Sequence, residues 1–473
     1  MRTSGLRREQ QRVALSERLY HTGSGMGNGG RYHKNVKSWI EVSARRLTEN
    51  YRAALDILQH EAGLQHEAGP GRSPSLLGVI KANAYGHGAA ICAPVLARAG
   101  AEWLGVTDAA EGAIVRQALA AAGIEGKRQP QILVMCGHFP EDAPALVKHS
   151  LVPVVWNLPQ LVALRDAAAA APAGSAEPVP VHLEIDTGMS RQGITVGAEL
   201  RDLLQWLHTE PRLRLDGVLT HFASAEVANS RQTARQRELF EAALRIVAEQ
   251  GLSPAWVHAG NTSVLDNACD SATLAWLCKL AERSAARPMV REGLGLYGYC
   301  LPLEGTKKIE GLTIADHNAS RLHAISQPIM TWKTRILSLC EVEPGARIGY
   351  NGSFVAKQPM RLALLPVGYA DGLRRELSSS STRHPDRSST PDDMGSSTVN
   401  ASGWVILHGR RAPIIGRISM NLTTVDVSAI DAIEVGDEVI LLGPGVTADD
   451  HAALAGTIAY EILCGIRALC VLV

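Results

Sequence analysis

Short apolar runs alternate with helix-like stretches over the larger, amino-terminal part of the chain. Between about residues 37 and 310 each β-type run is followed by a polar or glycine-bearing turn, and most are followed by an amphipathic segment such as Arg231–Gln250. Eight such units in succession predict an α/β fold, a closed (β/α)8 TIM-type barrel rather than an open sheet. The predicted strands are Leu77–Ile80, Trp103–Val106, Ile132–Met135, Val152–Val155, Val181–Ile185, Gly217–Leu219, Trp256–His258 and Met289–Val290.

After about residue 318 the pattern changes to β-rich runs without long helices, such as Met330–Val342 and Glu438–Leu442. The sequence therefore predicts a barrel over 37–317 and a separate, mostly β domain over 318–473. Within the second domain, a segment at about 378–402 is rich in Ser, Thr, Pro and Asp and is predicted to be a disordered insertion. Residues 1–36 are basic but lack an apolar signal core, which favours a disordered extension.

Composition narrows the class of protein. The chain has 473 residues, too many for one ordinary core. Its 47 basic and 47 acidic residues balance, which argues against nucleic acid or an anionic membrane surface as the main partner. No stretch has the apolar length of a membrane span. Eight scattered cysteines without a CxxC pair are typical of reduced thiols, so we expect no metal site and a cytoplasmic protein.

Lys81 lies at the end of the first predicted barrel strand, before a turn that contains glycine. Partial burial lowers the pKa of an amine and frees it to attack a carbonyl, which is how a Schiff-base lysine is made. An isolated lysine would more simply extend its amine out of the strand end into water. Four other candidates also follow strands, where barrel enzymes place their chemistry: Arg191, His221, Asn261 and Arg291.

The run around this lysine, VIKANAYGHG, resembles the cofactor-lysine motif of alanine racemases. These enzymes use pyridoxal 5'-phosphate (PLP) and consist of a barrel followed by a β domain. The resemblance extends from about Trp39 to Val473, with the motifs in the expected order. It implies that Lys81 carries PLP and that further residues surround the phosphate, the ring and the substrate.

The resemblance assigns the phosphate cradle first. It implies contacts from Tyr85, the Thr262 hydroxyl, Asn261, the backbone N–H groups of Gly293 and Leu294, and Tyr460. Arg291 matches the arginine that faces the pyridine nitrogen. Because arginine keeps its own proton, the ring would stay neutral and act as a weaker electron sink, which favours return of the proton to Cα over transamination.

Racemisation needs an acid–base group on each face of Cα, and the resemblance assigns Lys81 and Tyr350 to these roles. It places His221 beside the tyrosine, with Arg291 and His258 behind it in a hydrogen-bonded relay. In this family the tyrosine reaches the partner subunit's barrel. A homodimer is therefore implied, with Tyr350 and Met420 contributed across the interface.

The same resemblance assigns substrate contacts to Tyr369, Met420 and Arg191. It also counts Arg191, near the phenolic oxygen of PLP, and His221 among the cofactor-binding residues. Many relatives carry a modified lysine seven residues before that arginine, whereas this chain has Glu184, so we expect a Glu184–Arg191 ion pair. Asn421 replaces the usual aspartate after Met420, which leaves substrate selectivity open.

The favoured interpretation is an alanine racemase that interconverts L- and D-alanine and supplies D-alanine for peptidoglycan. A broad-specificity or serine racemase is an alternative within the same chemistry. A non-catalytic PLP carrier is a second alternative, although such carriers typically lack the β domain and Tyr350. A fold-related amino-acid decarboxylase would need an acid at the ring nitrogen, and Arg291 argues against it.

Overall fold

The structure is a computed structural model that describes residues 36–63, 74–171, 177–309, 312–315, 320–379 and 402–473. The predicted extension at 1–36 and the predicted insertion at 378–402 therefore lie, apart from their edges, outside the described residues. The chain divides into two compact units. One comprises Ala44–Ile329, and the other joins the residues up to Ser43 with Met330–Val473.

The first unit contains the predicted barrel. Its strands pair in parallel with their neighbours along the chain, and the last strand, Arg287–Glu292, pairs with the first, Ser75–Val79. All eight predicted strands are confirmed, several with longer bounds than the apolar runs alone indicated. The eight strands are Ser75–Val79, Trp103–Val106, Gln131–Val134, Val152–Val155, Val179–Asp186, Leu213–Leu219, Trp256–His258 and Arg287–Glu292.

Amphipathic helices cover the barrel. Arg231–Glu249 begins at Ser230, whose hydroxyl accepts a hydrogen bond from the backbone N–H of Thr233. Phe240 and Val247 are among its buried residues, at the spacing that puts them on one face. The longer helices of this unit are Ala44–Gly63, Ala89–Arg98, Ala109–Ala121, Leu158–Ala170, Ala198–His208, Arg231–Glu249 and Ser271–Arg283, with shorter ones at Ala143–Lys148 and Thr262–Asp266.

The second unit is mostly β, as the sequence predicts. A six-stranded sheet contains Ser38–Val42, Met330–Arg335, Trp404–Leu407, Arg410–Pro413, Glu438–Leu442 and Leu469–Leu472. A three-stranded sheet contains Ser338–Val342, Met360–Leu365 and Thr423–Asp426, and a short hairpin pairs Arg347–Ile348 with Phe354–Val355. Two short helices follow, Ala448–Ala455 and Ala459–Gly465.

The barrel unit begins later than the expected domain boundary at residue 37, because the strand Ser38–Val42 belongs to the other unit. Ser38–Val42 pairs antiparallel with Met330–Arg335 and parallel with Leu469–Leu472, so it belongs to the β unit and not to the barrel. Trp39 and Trp332 are fully buried in this unit. The reason is long-range pairing, which the alternation of apolar runs along the sequence does not encode.

Within the described part of the chain, no helix combines the length and apolar character that crossing a bilayer requires. All eight cysteines lie in described segments, and no disulfide joins any two of them.

Candidate active site

Lys81 begins an unusual turn at the carboxyl end of the first barrel strand. The four residues that follow it, Ala82 to Tyr85, all have φ between 51° and 55°. Successive left-handed residues other than glycine are rare, because each costs roughly 1–2 kcal/mol. The turn is closed by hydrogen bonds within it, including Ala84 N–H to the carbonyl of Ile80 at 2.8 Å. Half-buried Lys81 therefore sits on a rigid, strained segment rather than on a loose loop.

Side chains from outside the turn hold it in this conformation. The Glu111 carboxylate accepts the backbone N–H of Asn83 at 2.7 Å and that of Thr107 at 2.8 Å. From the other side, His87 Nδ1 lies 2.8 Å from the Ala84 carbonyl and stacks on Tyr297. Burial lowers the pKa of His87 to about 4, so the ring is neutral and its Nδ1–H donates to that carbonyl.

A second polar cluster lies after the last barrel strand, where the resemblance placed the phosphate cradle. Thr262 Oγ1 accepts the N–H groups of Gly293 at 3.3 Å and Gly295 at 3.4 Å. A Cβ on Gly293 would lie 2.6 Å from the hydroxyl oxygen of Tyr85, so any larger residue there would have to displace that hydroxyl. Tyr85, Thr262 and the Gly293 loop thus converge on one small polar space. Asn261 caps the helix that begins at Thr262, accepting the N–H of Val264.

Arg291 is the centre of a buried hydrogen-bond relay. Its Nη2 donates to the carbonyl of Thr220 at 2.7 Å and lies 3.2 Å from Nδ1 of His221, while Nη1 lies 3.3 Å from Nδ1 of His258. A guanidinium can only donate, so both histidine Nδ1 atoms must accept. Each neutral ring then carries its proton on Nε2. The relay expected among Arg291, His221 and His258 is present.

The relay continues to two residues that the sequence analysis did not select. His258 Nε2 lies 2.9 Å from Nδ1 of His182, and His182 Nε2 lies 3.7 Å from the Asp216 carboxylate. Since His258 Nε2 carries a proton, His182 Nδ1 accepts it and His182 Nε2–H points towards Asp216. Donation therefore runs in one direction through the barrel core, from Arg291 to His182, whose Nε2–H faces the Asp216 carboxylate beyond hydrogen-bond distance.

The protonation states follow from burial. Burial, helped by Arg291, Arg191 and Lys81, lowers the pKa of His221 to about 3. Burial also lowers the pKa of His258 well below its usual range. The pKa of Arg291 is lowered to about 10, again mainly by burial, which leaves the guanidinium charged at neutral pH. The relay thus combines neutral imidazoles with one fixed positive charge.

The expected Glu184–Arg191 ion pair is wrong. Glu184 is buried, and the side chain that hydrogen-bonds to it is Gln192, whereas Arg191 is exposed. The physical reason is the turn before it: Asp186 accepts three consecutive N–H groups and Ser190 takes a φ of 56°, which directs the chain so that residue 192 meets the carboxylate. Burial raises the pKa of Glu184. Arg191 and Glu184 nevertheless line one small crevice together with His221.

The β unit carries the remaining predicted residues. Tyr350, Tyr369 and Met420 are among its most exposed large apolar side chains, at 62%, 45% and 55%. Their loops pack together, because Tyr369 N–H donates to the carbonyl of Ser419 at 3.1 Å and a Cβ on Gly349 would lie 2.8 Å from the backbone nitrogen of Arg417. Half-buried Tyr460 lies in the helix Ala459–Gly465 of the same unit.

Several site residues escaped the sequence analysis. Glu111 and Gln236 each hold a loop that bears a predicted catalytic or binding residue; Gln236 Nε2 donates to the carbonyl of His221 at 2.8 Å. Glu292 lies against Thr262 and Gly295, where the resemblance placed the phosphate cradle. The spacing of Asp108 and Glu111, three residues apart, is typical of a helix N-terminus, where Asp108 accepts the backbone N–H of Glu111. Nothing in the sequence indicates that the Glu111 carboxylate also accepts the backbone N–H of Asn83.

A lysine and an arginine at adjacent strand ends, with a donor-rich cradle beside them, define a barrel-type amino-acid racemase. Family models support this class directly: "Alanine racemase, N-terminal domain" matches residues 54–300 and "Alanine racemase, C-terminal domain" matches residues 329–471. The chain is 35% identical over 433 residues to the alanine racemase of Syntrophobacter fumaroxidans, covering 91% of this chain and 95% of that protein.

Solved structures agree. The alanine racemase of Streptomyces coelicolor A3(2) superposes with a TM-score of 0.71 at 28% identity, covering 92% of this chain and 98% of that one. The Bartonella henselae alanine racemase, solved with covalently bound pyridoxal phosphate, shares the fold at 22% identity, with a TM-score of 0.66 and coverage of 93% and 100%. The chain belongs to the alanine racemase family and is an isomerase.

Proposed function

We propose that this enzyme interconverts L- and D-alanine in the cytoplasm by a two-base mechanism with PLP held through Lys81, and that its D-alanine serves peptidoglycan synthesis. The observation that carries the proposal is the placement of two residues on neighbouring strands: Lys81 follows one strand on a fixed left-handed turn, and buried Arg291, in the adjacent strand, donates to His221 and His258. Such an arrangement has little use in a surface-binding protein, because burying a guanidinium is costly.

The residues present fit a phosphate-bearing cofactor. The Thr262 hydroxyl, the N–H groups of the Gly293–Leu294 loop and the Tyr85 hydroxyl surround a space in which a Cβ on Gly293 would clash. These groups suit an anion, and we assign Asn261 and Tyr460 to the same role from the resemblance. When bound, PLP supplies an electron sink that acidifies the Cα proton of an amino acid.

The chain's own residues then control the proton. The amine of Lys81 serves one face of the substrate's Cα and the phenol of Tyr350 serves the other. Arg291 donates and does not release its proton, since its pKa stays near 10. His221 Nε2 carries the outward-facing proton of the relay, because its Nδ1 accepts from Arg291. Arg191 and Met420 hold the substrate carboxylate, and Tyr369 lines the route by which the substrate arrives.

A homodimer completes the site in this proposal. Tyr350, Tyr369 and Met420 are exposed on loops that pack together, and we refer to these three residues as the exposed apolar cluster. Exposed apolar residues on adjoining loops mark interaction surfaces. We propose that Tyr350 and Met420 act at the barrel of the partner subunit. Nucleic acid and membrane are not partners in this proposal, in keeping with the balanced charge.

The test is loss of optical activity of L-alanine by purified protein with added PLP, beside L-serine. Alanine should racemise fastest, and the Lys81→Ala and Tyr350→Phe variants should both fail. Faster turnover of serine would favour the broad-specificity alternative, which exposed Asn421 leaves open. Cofactor binding through Lys81 without racemisation of either amino acid would contradict the proposal and favour a carrier.

A further inference from the structure

Glu292 is a fully buried carboxyl group in the middle of the proposed phosphate cradle. Its Oε1 accepts the hydroxyl of Thr262 at 3.1 Å, and its other oxygen, Oε2, is buried without a hydrogen-bond partner. A Cβ on Gly295 would overlap Oε1, so the carboxyl lies directly against the cradle backbone. A negative charge at this point would face the phosphate that the cradle is proposed to hold.

The hydrogen-bond pattern makes the conflict specific. As a carboxylate, Glu292 can only accept, so it takes the one proton that the Thr262 hydroxyl can donate. As a carboxylic acid, it can instead donate to Thr262 Oγ1 once the phosphate takes the Gly293 N–H group from that oxygen, and the Thr262 proton is then free to turn to a phosphate oxygen. Only the protonated form therefore leaves Thr262 as a donor and removes the like charge.

We propose that Glu292 couples cofactor binding to proton uptake: the phosphate group binds to the protonated form of Glu292, so the protein holds PLP less tightly in alkaline solution. The proposal rests on the proposed function, since it needs the phosphate in this cradle. Where Glu292 is ionised before binding, the proton balance is one H⁺ taken up by its carboxylate for each phosphate bound, with no other bond made or broken at this residue.

The surroundings favour the protonated form. Burial is the main cause that raises the pKa of Glu292 to about 8, and the nearby Asp266 carboxylate raises it further. The Thr262 hydroxyl and the N–H groups of Gly295 and Leu296 oppose the shift. The phenol of Tyr85, close to Gly293, is a further titratable group at the proposed cradle, and the phenol of Tyr460 is assigned there from the resemblance. A carboxyl with this pKa is mostly neutral at pH 7 and becomes charged as the pH rises past 8.

The experiment compares PLP affinity of the wild-type apoprotein and Glu292→Gln at about pH 7 and about pH 9.5, followed by intrinsic fluorescence. Glutamine keeps the shape and can donate to Thr262 but cannot titrate. From a pKa near 8, the wild-type dissociation constant should rise about 30-fold more than that of the variant over this range. Pyridoxal, which lacks the phosphate, is the matched ligand and should show no such difference between the wild type and the variant.

A second measurement does not depend on the variant folding. Wild-type apoprotein is mixed with PLP or with pyridoxal in weakly buffered solution near pH 8, and a pH indicator reports proton uptake. More uptake with PLP supports the inference, and equal uptake with both ligands overturns it. Equal pH dependence in wild type and Glu292→Gln also overturns it while leaving the proposed function intact. If wild type binds no PLP at either pH, the proposed function falls and this inference falls with it.

Discussion

We expect Glu111 to stabilise the folded barrel by several kilocalories per mole, because it holds the left-handed turn that carries Lys81. Four consecutive left-handed residues cost about 4–8 kcal/mol at roughly 1–2 kcal/mol each. The Glu111 carboxylate offsets this cost by accepting two backbone N–H groups, at 2.7 and 2.8 Å. Hydrogen bonds to a charged group contribute about 1.5–3 kcal/mol apiece, so we expect Glu111→Ala to destabilise the protein by about 3 kcal/mol or more.

Thermal unfolding of the apoprotein, followed by circular dichroism, measures this effect. For a unit as large as Ala44–Ile329, with an unfolding entropy of about 2.1 cal/mol/K per residue, about 3 kcal/mol corresponds to a Tm lower by roughly 5 °C. Glu111→Gln keeps one carbonyl oxygen as acceptor and should lose about half as much. Glu199→Ala is the matched control, because Glu199 also lies in the first turn of a barrel helix but is exposed. Equal Tm values for Glu111→Ala and Glu199→Ala would refute the reasoning.

Three further outcomes follow from the geometry. Gly293→Ala should weaken PLP binding at least about tenfold in a fluorescence titration, because the new Cβ would lie 2.6 Å from the Tyr85 hydroxyl oxygen. The protein should lose stability in urea as the pH falls from about 6.5 to 5. The folded-state pKa values of His87 and His221, about 4 and about 3, lie below the unfolded value, so the unfolded chain binds protons first as the pH falls. By pH 5 each histidine lowers the free energy of unfolding by about 2 kcal/mol. Met420→Glu should shift the protein towards monomer in sedimentation velocity, because it places a charge in the exposed apolar cluster.

Each of these has a contradicting result. Unchanged PLP affinity in Gly293→Ala would mean that the Tyr85 hydroxyl moves aside at little cost. Stability that is flat between pH 6.5 and 5 would mean that the buried histidines protonate without unfolding. A Met420→Glu protein that remains dimeric would remove the cluster from the interface, and Glu199→Lys, on the exposed barrel surface, controls for charge alone.

The barrel and its strand-end residues could be predicted because both are local in sequence. Each strand is a short apolar run, and Lys81 and Arg291 stand just after or at the end of one. The left-handed turn could not be predicted, since Ala82 and Ala84 favour a right-handed helix by themselves. It forms because Glu111, far along the chain from Asn83, accepts a backbone N–H there. Tertiary contacts override local propensity at this point, as is common at functional sites.

Two further features of the site, the place of His182 in the relay and the partner of Glu184, illustrate the same limit. The role of His182 cannot be predicted from the sequence, because a histidine within a strand is usually a packed core residue and its hydrogen-bond partner His258 is 76 residues away. The Glu184–Arg191 pairing was wrong for a related reason. Spacing along the chain places the two residues near one crevice, but the φ of Ser190 decides whether residue 191 or residue 192 turns inwards.

The relay also explains how the barrel core accommodates a guanidinium. An unpaired buried charge would be strongly unfavourable, yet Arg291 donates to a carbonyl and to two imidazoles, and the carboxyl group of Glu184 raises its pKa against the effect of burial. The imidazoles can accept only while they are neutral, which burial ensures. Replacing Arg291 by an acid would therefore do more than reverse one charge. It would remove the donor that fixes both Nδ1 atoms as acceptors, and the direction of donation towards Asp216 would be lost with it.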